Sequence, residues 1–561
     1  MSGLRLTRRE MIISGAAAIA ASTMLPRTAH ALDAVPANRL VVGGSWEGLV
    51  GVGGGIPNRT TQSGSTIAPF SGSASTINSA IASCPADQFV QIGAGTFNLS
   101  SSITIARSRV TLRGAVNSNG APATVLNFTG GSVRLIGFEA NGWDLSNSGQ
   151  YTNVDVSGGV ARGSTTITLA STPSSLSVGQ MMFISSPASV TVTPSPGNWS
   201  DLFGSKPFTQ IVRVTGKTGN NVSFTPPINA DYLGSGLQVH WRGLNDSVKL
   251  SGIENLSLTR SGASGHFVSF IGADECWAKN VKTFGVPAST YHFFPYAAYR
   301  CEIRHCDVSH MDNLTNSTYC INPAQSSQLL FEDNYFHDCP NVMPMFGLNG
   351  SAFAHNYINN LPYSPANWLS QIVFFHGSHS HYNLFEGNWF ASSYNDSGSG
   401  SRNNIFFRNR MRGWDAAGPK TSNTECLSTE SHHDNIVMAG CVLGEPGYHS
   451  NYNGGQFDSS AIYALDSTSS GSTLRLGNYN TVNGLVPPVE ALGSAVLVTS
   501  YLHAAKPAWF GSLPWPWCEP SNFAQSNTAT NLPAGYRAVN GVDPTPTQGT
   551  ASMPPTNVTL Q

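Results

Sequence analysis

One phrase recurs along the middle of the chain: LLFEDNYF (residues 329–336), FAHNYI (353–358), LFEGNWF (384–390) and IFFRNRM (405–411). In each stretch, an alternation of apolar and polar residues reaches an asparagine, and a hydrophobic residue follows. These asparagines lie 22, 32 and 21 residues apart. In related stretches the same place is taken by Asn255, Asn280, Cys306 and Gly440 or Cys441. A bend residue that returns at such intervals predicts a parallel β-solenoid with one coil per repeat.

Stacked coils explain why this bend favours asparagine. Each coil has short strands whose alternate side chains point inward, and neighbouring coils lie about 4.8 Å apart in parallel ladders. A tight bend requires left-handed backbone dihedrals, which asparagine tolerates better than most residues. Asparagines at the same bend of successive coils are also expected to form a hydrogen-bonded ladder along the axis. A β-sandwich, with strands every 8–12 residues or so, does not explain the longer interval.

The coil repeat is interrupted near both ends of the chain and once in between. TINSAIASC (Thr76–Cys84) predicts a helix that covers the open end of the first coil. Hairpin-like strands with GNN (219–221) at a turn predict a small inserted antiparallel β subdomain. Three tryptophans, at positions 509, 515 and 517, predict the core of a C-terminal cap. The predicted segments are a signal peptide (1–31), an N-terminal extension (32–69), the start of the β-helix with its cap (70–151), the inserted subdomain (152–245), the coils (246–445), a C-terminal cap region (446–545) and a disordered tail (546–561).

The chain resembles a known superfamily in several stretches. IGAGTFNLSSSITI, followed by RVTLRGA, is similar to the opening of the pectate-lyase-like, right-handed parallel β-helix superfamily. HGSHSHYNLFEGNWF, GSGSRNNIFFRNRMRGW, KPAWFGSLPWPW and LPAGYRAVNG resemble an exported bacterial branch without an assigned activity. The resemblance covers roughly residues 70–150 and 245–540. It implies an all-β, single-stranded right-handed parallel β-helix. The superfamily includes polysaccharide lyases, glycoside hydrolases, epimerases, esterases and phage tailspikes, so the reaction stays open.

The N-terminus is typical of an export signal. Adjacent Arg8 and Arg9 precede an alanine-rich apolar stretch, and AHA (29–31) supplies small residues around a cleavage point. The twin arginine resembles the Tat signal, which a receptor reads and which does not anchor the protein. An ordinary Sec signal or an uncleaved anchor is the alternative, but the stretch is too rich in Ala, Ser and Gly for a good anchor. We therefore predict a periplasmic or secreted protein without a stable membrane anchor.

Composition limits the partners. Without residues 1–31 the chain has 25 basic and 30 acidic residues, a net charge of −5. Charged residues make up 11% of the chain, and long charge runs are absent from the sequence, so nucleic acid is not an expected partner. A surface rich in Gly, Ser, Thr and Asn suits a neutral or mildly charged polysaccharide. The sequence leaves the oligomeric state open.

Cysteine and histidine patterns do not predict a metal site. The nine cysteines include no CxxC pair, which argues against a structural zinc site and against a thioredoxin-type centre. Cys320 with Cys339 is one plausible disulfide, although connectivity is not deducible. His379 and His381 need a third ligand, such as Glu386 or Asp396, and this spacing is common by chance. No cofactor is predicted, and calcium is left as a possibility.

Candidate catalytic residues follow from the resemblance, because β-helix enzymes carry reactive groups on the outward side of one sheet. The candidates are His337, Asp338, His376, Asp396 and Arg402. β-Elimination on a uronate sugar needs a cation beside the carboxylate and a base for the C5 proton, roles that match Arg402 and His376. Hydrolysis needs two carboxyl groups, about 5.5 Å apart for retention or about 6.5–9.5 Å for inversion, and Asp338 with Asp396 is the candidate pair.

Candidate substrate-binding residues are His379, His381, Trp389, Tyr394 and Trp241, because sugar rings stack on aromatic faces. For any one of these polar residues, a hydrogen bond to the backbone of a neighbouring coil is the ordinary role. The resemblance puts a polysaccharide lyase ahead of a glycoside hydrolase, whereas the low charge opposes a highly anionic substrate. A non-catalytic glycan-binding or surface-structural β-helix is the third alternative.

Overall fold

Short parallel strands stacked coil upon coil make up most of the molecule, a right-handed parallel β-helix with a small antiparallel β-barrel inserted, as the sequence predicted. The computed structural model describes residues 33–131, 133–139, 151–187, 206, 208–230, 235–243, 246–287, 289–314, 319–370, 372–377, 379–396, 400–455, 457–484, 487 and 490–544. The predicted signal peptide and the tail at 546–561 lie outside these residues. None of the helices in the described ranges has the length and apolarity needed to span a bilayer.

The larger part of each coil belongs to one connected set of parallel ladders. Its strands in the described chain are β1 (Ser71–Gly72), β2 (Gln88–Gln91), β3 (Gly95–Leu99), β5 (Val110–Arg113), β6 (Thr124–Phe128), β14 (Gly252–Arg260), β16 (Trp277–Val286), β18 (Glu302–Arg304), β19 (Asp307–Met311), β21 (Leu330–Glu332), β22 (Tyr335–His337), β24 (Ala352–Ala354), β25 (Tyr357–Asn359), β27 (Leu384–Glu386), β28 (Trp389–Phe390), β30 (Ile405–Phe407), β31 (Arg410–Met411), β33 (Val437–Ala439), β34 (Val442–Leu443), β37 (Leu474–Leu476) and β38 (Tyr479–Asn480).

The remaining side of the solenoid, which we call the second face, consists of two parallel sections of five and six strands. The first section holds β4 (Ile103–Ile105), β7 (Arg134–Phe138), β15 (His266–Ile271), β17 (Tyr291–Tyr296) and β20 (Tyr319–Ile321). The second section holds β23 (Met343–Phe346), β26 (Val373–Gly377), β29 (Ser393–Asn395), β32 (Leu427–Thr429), β35 (Asn451–Asn453) and β36 (Ala461–Leu465). Inward side chains of both faces form one continuous hydrophobic core.

The predicted asparagine ladder is present. The side-chain amide of Asn334 donates to Asn356 Oδ1 (2.9 Å), that of Asn356 to Asn388 Oδ1 (3.0 Å), and that of Asn388 to Asn409 Oδ1 (3.0 Å). All four side chains are fully buried. The ladder satisfies polar groups that the bend would otherwise bury without partners.

The prediction that the bend asparagine itself takes the left-handed backbone conformation is confirmed only in the earlier coils. Asn255 and Asn280 have φ values of 60° and 52°. In later coils the asparagine is regular and the residue before it takes the left-handed conformation, at Asp333, His355, Gly387 and Arg408. The prediction is wrong there because the bend uses two residues, one to turn the chain and one to fill the ladder.

The part of the chain that the structure describes has four α-helices, all at the periphery: α1 (Ser75–Ser83), α2 (Ser467–Ser470), α3 (Phe523–Ser526) and α4 (Pro533–Asn540). Short 3-10 turns lie at Ala37–Arg39, Ala508–Phe510 and Ala529–Asn531. Helix α1 buries Ile77 and Ile81 in the core at the start of the solenoid, one residue earlier along the chain than predicted.

The insertion forms a closed antiparallel barrel of six strands. These are β8 (Thr152–Gly158), β9 (Thr166–Leu169), β10 (Met181–Ser186), β11 (Phe208–Thr218), β12 (Asn221–Thr225) and β13 (Gln238–Trp241). The barrel packs on one bend of the coils. Arg213 donates two hydrogen bonds to Asp274 (2.7 and 2.5 Å), and the amide of Ile211 donates to Ser327 Oγ (2.9 Å). This bend is therefore covered.

The terminal segments run along the side of the solenoid. The indole of Trp46 donates to the carbonyl oxygen of Tyr382, and His503 binds Glu332 at 2.5 Å. The amide of Tyr501 donates to Glu386 (2.8 Å). Glu332 and Glu386 thus hold the C-terminal segment across several coils. That segment was expected to cap the end of the solenoid, but the buried coil glutamates attach it to the flank.

Candidate functional site

A row of neighbouring aromatic rings lies on the outward side of the second face, and we call it the aromatic row. It consists of His266, Tyr291, Tyr319, Phe374 and Tyr394. Ring centroids of His266 and Tyr291 are 4.7 Å apart with nearly parallel planes, those of Tyr291 and Tyr319 are 6.1 Å apart, and those of Tyr319 and Phe374 are 5.8 Å apart. Phe374 pairs in register with Tyr394. The row arises because outward residues of successive parallel strands stand side by side.

A second row, which we call the acidic row, follows two residues further along the same strands. It consists of His376, Asp396 and Glu430. Because Asn395 pairs in register with Thr429, the residues that follow them, Asp396 and Glu430, are neighbours on adjacent coils. The imidazole Nδ1 of His376 bonds to Asp396 Oδ2, and the hydroxyl of Tyr394 donates to Glu430 Oε1. The two carboxyl groups therefore extend from adjacent coils on the same face, each with its own hydrogen-bonding partner.

Buried polar groups hydrogen-bond to the backbone that carries the acidic row. His433 Nε2 donates to the carbonyl oxygen of Asp396 (2.6 Å), and the hydroxyl of Ser401 lies 2.7 Å from His433 Nδ1. Burial lowers the pKa of His433 to about 4, so its imidazole is neutral near neutral pH. The neutral tautomer with a proton on Nε2 matches both hydrogen bonds. These contacts limit movement of the backbone that carries Asp396.

The electrostatics of the aromatic row depend on the acidic row. Burial raises the pKa of Tyr319, and the charges of Tyr291 and Asp396 raise it further. Tyr319 is thus a neutral hydrogen-bonding phenol beside a carboxylate. Tyr363, in the loop that precedes β26, also contributes to this pKa and so belongs to the same region. Near Tyr394, the ring of Phe457 lies at 6.4 Å and is half exposed.

The structure brings together only part of the predicted site. His376, Asp396 and Tyr394 share the second face, as just described. Sequence reasoning missed Glu430. A signal existed, since the strand of Glu430 ends in a carboxylate as the strand of Asp396 does. The loop at 413–426 lengthens the distance along the chain from the preceding asparagine bend, so the two carboxylates do not follow their bends at the same spacing.

Arg402 lies at another bend of the coil. Its guanidinium binds Asp434 (2.6 Å), and its backbone pairs with residues of the bend that faces the barrel. Three further arginines in this region are also bound elsewhere. Arg408 binds Glu519 (2.7 Å), Arg410 is fully buried, and Arg412 binds Glu445 (2.7 Å).

His337 and Asp338 lie at the end of β22, outside the second face. His337 Nδ1 lies 2.6 Å from Asp338 and its Nε2 lies 3.0 Å from Asp307. Burial lowers the pKa of His337, but the bonds to the two carboxylates outweigh it and the net pKa is raised. Asp338 and Asp396 stand on different sheets of the coil, so the predicted carboxylate pair is not formed by these two residues.

The remaining predicted binding residues are buried, as is the ring of Tyr394. His379 and His381 lie beneath the barrel, where Phe208 stacks on His381 at 4.4 Å, and burial lowers their pKa values to about 4 and about 3. Trp241 lies in the barrel core. Trp389 packs against Trp517 of the C-terminal segment. These four side chains serve packing in the structure, and they offer no surface to a glycan.

Elsewhere among the described residues, two clusters have ligand atoms suited to a metal. Glu332, His355 and His503 form one, and His292, Cys320 and Cys339 form the other. In the first, Arg304 also binds Glu332 (2.8 Å), so the carboxylate already has a cation and the cluster acts as an ion-pair network. Calcium binding was left as a possibility, and it stays a prediction.

No family model and no curated protein matches this sequence. Solved structures do match in fold. The tailspike gp49 of Pseudomonas phage LKA1 has 13% identity and a TM-score of 0.45, and the match covers 72% of this chain and 68% of that one. The tailspike gp61 of Pseudomonas phage phi297 has 13% identity and a TM-score of 0.40. That match covers 72% of this chain and 64% of the tailspike, which is less than two thirds of the tailspike. The A-module of the Azotobacter vinelandii mannuronan C-5 epimerase AlgE6 has 10% identity and a TM-score of 0.30, and the match covers 75% of this chain and 93% of the module.

Proposed function

We propose that the protein hydrolyses a glycosidic bond of a polysaccharide, with Asp396 and Glu430 as the two carboxyl groups. The observation that carries the proposal is their position on adjacent coils of one outward face, beside a row of aromatic rings. Backbones of adjacent coils lie about 4.8 Å apart. A retaining enzyme needs its two carboxyl groups ~5–5.5 Å apart and an inverting enzyme ~6.5–9.5 Å apart, and side chains on adjacent coils can supply the shorter separation.

The hydrogen bonds suggest a role for each carboxyl group. Tyr394 donates to Glu430, which stabilises the carboxylate form and suits a nucleophile that attacks the anomeric carbon. Asp396 is the general acid, which gives a proton to the departing oxygen as the bond breaks. It then takes a proton from the water that hydrolyses the glycosyl ester. His376, bonded to Asp396, orients that carboxyl group.

The aromatic row supports a polysaccharide as the substrate. The rings of His266, Tyr291 and Tyr319 are partly exposed, and each sugar ring of an extended glycan has an apolar face that can stack on such rings, whereas Phe374 and Tyr394 are buried and support the row from beneath. Neighbouring polar atoms, such as the hydroxyl groups of Tyr319 and Tyr363, are available to sugar hydroxyls.

β-Elimination, which the resemblance put first, has less support from the geometry. It needs a cation at the uronate carboxylate, and Arg402 instead binds Asp434 at another bend. The acidic row also repels a polyanionic chain. A neutral glycan therefore fits the second face better than a polyuronate.

The test is incubation of the protein with a panel of neutral and acidic polysaccharides. Hydrolysis predicts new reducing ends without the absorbance of unsaturated uronates, and a lower rate by at least about 100-fold in Asp396→Asn and in Glu430→Gln. Asp155→Asn, on the barrel, is the matched control and keeps full activity. Unsaturated products would establish a lyase instead. Retention on a glycan column without any product would establish a binding protein.

Export through the twin-arginine signal belongs to the same proposal, since polysaccharide substrates lie outside the cytoplasm. A fusion of residues 1–31 to a folded reporter tests it. The reporter is expected in the periplasm, and Arg8→Lys together with Arg9→Lys is expected to block export. Unchanged export in the double variant would contradict a Tat signal.

A further inference from the structure

Three potential metal ligands from successive coils meet inside the solenoid. His292 lies in β17, Cys320 lies in β20, and Cys339 follows β22 by two residues. The register of β17 and β20 puts His292 directly beside Cys320. Cys339 belongs to the next coil, where the carbonyl oxygen of Asn341 accepts a hydrogen bond from the amide of Cys320 (3.2 Å). The three side chains thus form a vertical stack.

The donor atoms are close enough to share one ion. One ligand atom from each residue lies within 4.8 Å of the other two, and all three side chains are fully buried. A tetrahedral zinc ion, with Zn–S of ~2.3 Å and Zn–N of ~2.0–2.1 Å, requires ligand atoms roughly 3.5–3.8 Å apart. Side-chain movements on the order of 1 Å complete that geometry.

The imidazole of His292 has one nitrogen fixed by a hydrogen bond. Its Nδ1 lies 2.8 Å from the hydroxyl of Thr283, the backbone of His310 lies beside the ring, and the buried Nε2 atom has no hydrogen-bond partner among the described residues. A metal-bound histidine commonly has one nitrogen fixed by an outer hydrogen bond and the other on the metal.

We propose that His292, Cys320 and Cys339 bind a structural zinc ion within the core. Binding displaces one proton from each thiol, so Zn²⁺ and two thiolates sum to zero charge in an apolar interior. The main-chain carbonyl oxygen of His337, 3.2 Å from Cys339 Sγ, is available for the fourth position. Thiolate and imidazole ligands select zinc over calcium or magnesium.

A second thiol pair in the same core provides a matched control. Cys276 and Cys301 are also fully buried and lie on adjacent coils, and the neighbouring Cys276 thiol contributes to the raised pKa of Cys301. Among the described residues, no histidine lies close enough to these two thiols to form a three-ligand metal site with them. Removal of a thiol from either pair leaves a similar gap in the core, but only Cys320 and Cys339 are ligands in the proposal.

The experiment measures the metal content of the full chain after expression with zinc and exhaustive dialysis. We expect about one zinc per chain, and below about 0.2 in Cys320→Ala and in Cys339→Ala, whereas Cys276→Ala keeps it. Cobalt substitution is expected to give the thiolate-to-metal charge-transfer bands of a tetrahedral site. In case the ligand variants do not fold, a chelator is added to the unaltered protein. Its thermal midpoint is expected to fall, and zinc but not calcium is expected to restore it.

Three outcomes would overturn the proposal. One is a folded, active chain that stays free of zinc after exposure to excess metal. Another is a Cys320–Cys339 disulfide in the peptide mass map of the purified protein. The third is a zinc content that is unchanged in both ligand variants. None of these outcomes bears on the acidic row, because Asp396 and Glu430 lie outside the cluster.

Discussion

Removal of one member of the asparagine ladder tests the physical basis of the fold. In Asn388→Ala, four hydrogen bonds are lost. The Oδ1 atom of Asn388 accepts from the backbone amide (2.9 Å) and the side-chain amide (3.0 Å) of Asn356. Its Nδ2 donates to the carbonyl oxygen of Phe353 (2.8 Å) and to Asn409 Oδ1 (3.0 Å). All of these groups are buried, so water does not replace the lost partners.

The expected loss of stability follows from these bonds. Each buried hydrogen bond contributes about 1 kcal/mol net, and a buried amide left without a partner costs about 1–3 kcal/mol. The side chain of Asn356 keeps its bond to Phe331, and Asn409 keeps the backbone amide of Asn388. The backbone amide of Asn356 is left unpaired, and the carbonyl oxygen of Phe353 loses the donor that Asn388 supplied. The free energy of unfolding is therefore expected to fall by about 3–5 kcal/mol.

Urea unfolding measures the change, and hydrogen exchange with mass spectrometry locates it. Faster exchange is expected in the coils of Asn356, Asn388 and Asn409, with little change in the barrel. Asn451→Ala, at an exposed position, is the control and is expected to lose less than about 1 kcal/mol. The double variant with Asn409→Ala is expected to lose less than the sum of the single variants, because they share a hydrogen bond. A loss below about 1 kcal/mol in Asn388→Ala, or strict additivity, would refute the ladder as a source of stability.

Three further predictions concern protonation and the acidic row. Burial raises the pKa of Glu425 from 4.5 to about 7, so ionisation of this side chain destabilises the fold as pH rises through this range. Glu425→Gln is therefore expected to raise the free energy of unfolding by about 3 kcal/mol at pH 8 and to leave it unchanged at pH 4.5, as measured by urea unfolding. Burial lowers the pKa values of His240 and His381 to about 3, so the stability they contribute is complete above pH ~6.5 and falls by about 2 kcal/mol for each by pH 5; a flat thermal midpoint from pH 7 to 5 would contradict this. Tyr394→Phe removes a hydrogen bond to Glu430, and the acid limb of the pH–rate profile is expected to move to higher pH; an unchanged limb would remove Tyr394 from the site.

The fold was predictable from local patterns. The repeated bend at Asn334, Asn356, Asn388 and Asn409 indicated coils, and the turn at 219–221 indicated the inserted hairpins. Such signals are readable because each coil repeats the same requirement, an inward apolar residue and a bend that buries polar atoms. The position of the C-terminal segment was not readable, since its partners, such as Glu332 and Glu386, look like ordinary repeat residues.

The candidate site was predictable only in part. His376 and Asp396 were named from their bends, and the structure bonds them to each other. His337, Asp338 and Arg402 come from similar bends but point from other sides of the coil. Sequence distance does not tell these sides apart, because one residue more or less in a strand changes the direction of a side chain.

The sequence by itself determined the coil, its bends and the hydrophobic interior, because these depend on residues a few positions apart. Only the tertiary structure decided which residues become neighbours across coils, such as Asp396 with Glu430 or His292 with Cys320. The physical reason is that hydrogen bonds between stacked strands set the register, while the loops between them vary in length. A variable loop changes the distance along the chain between two residues and leaves their separation in space unchanged.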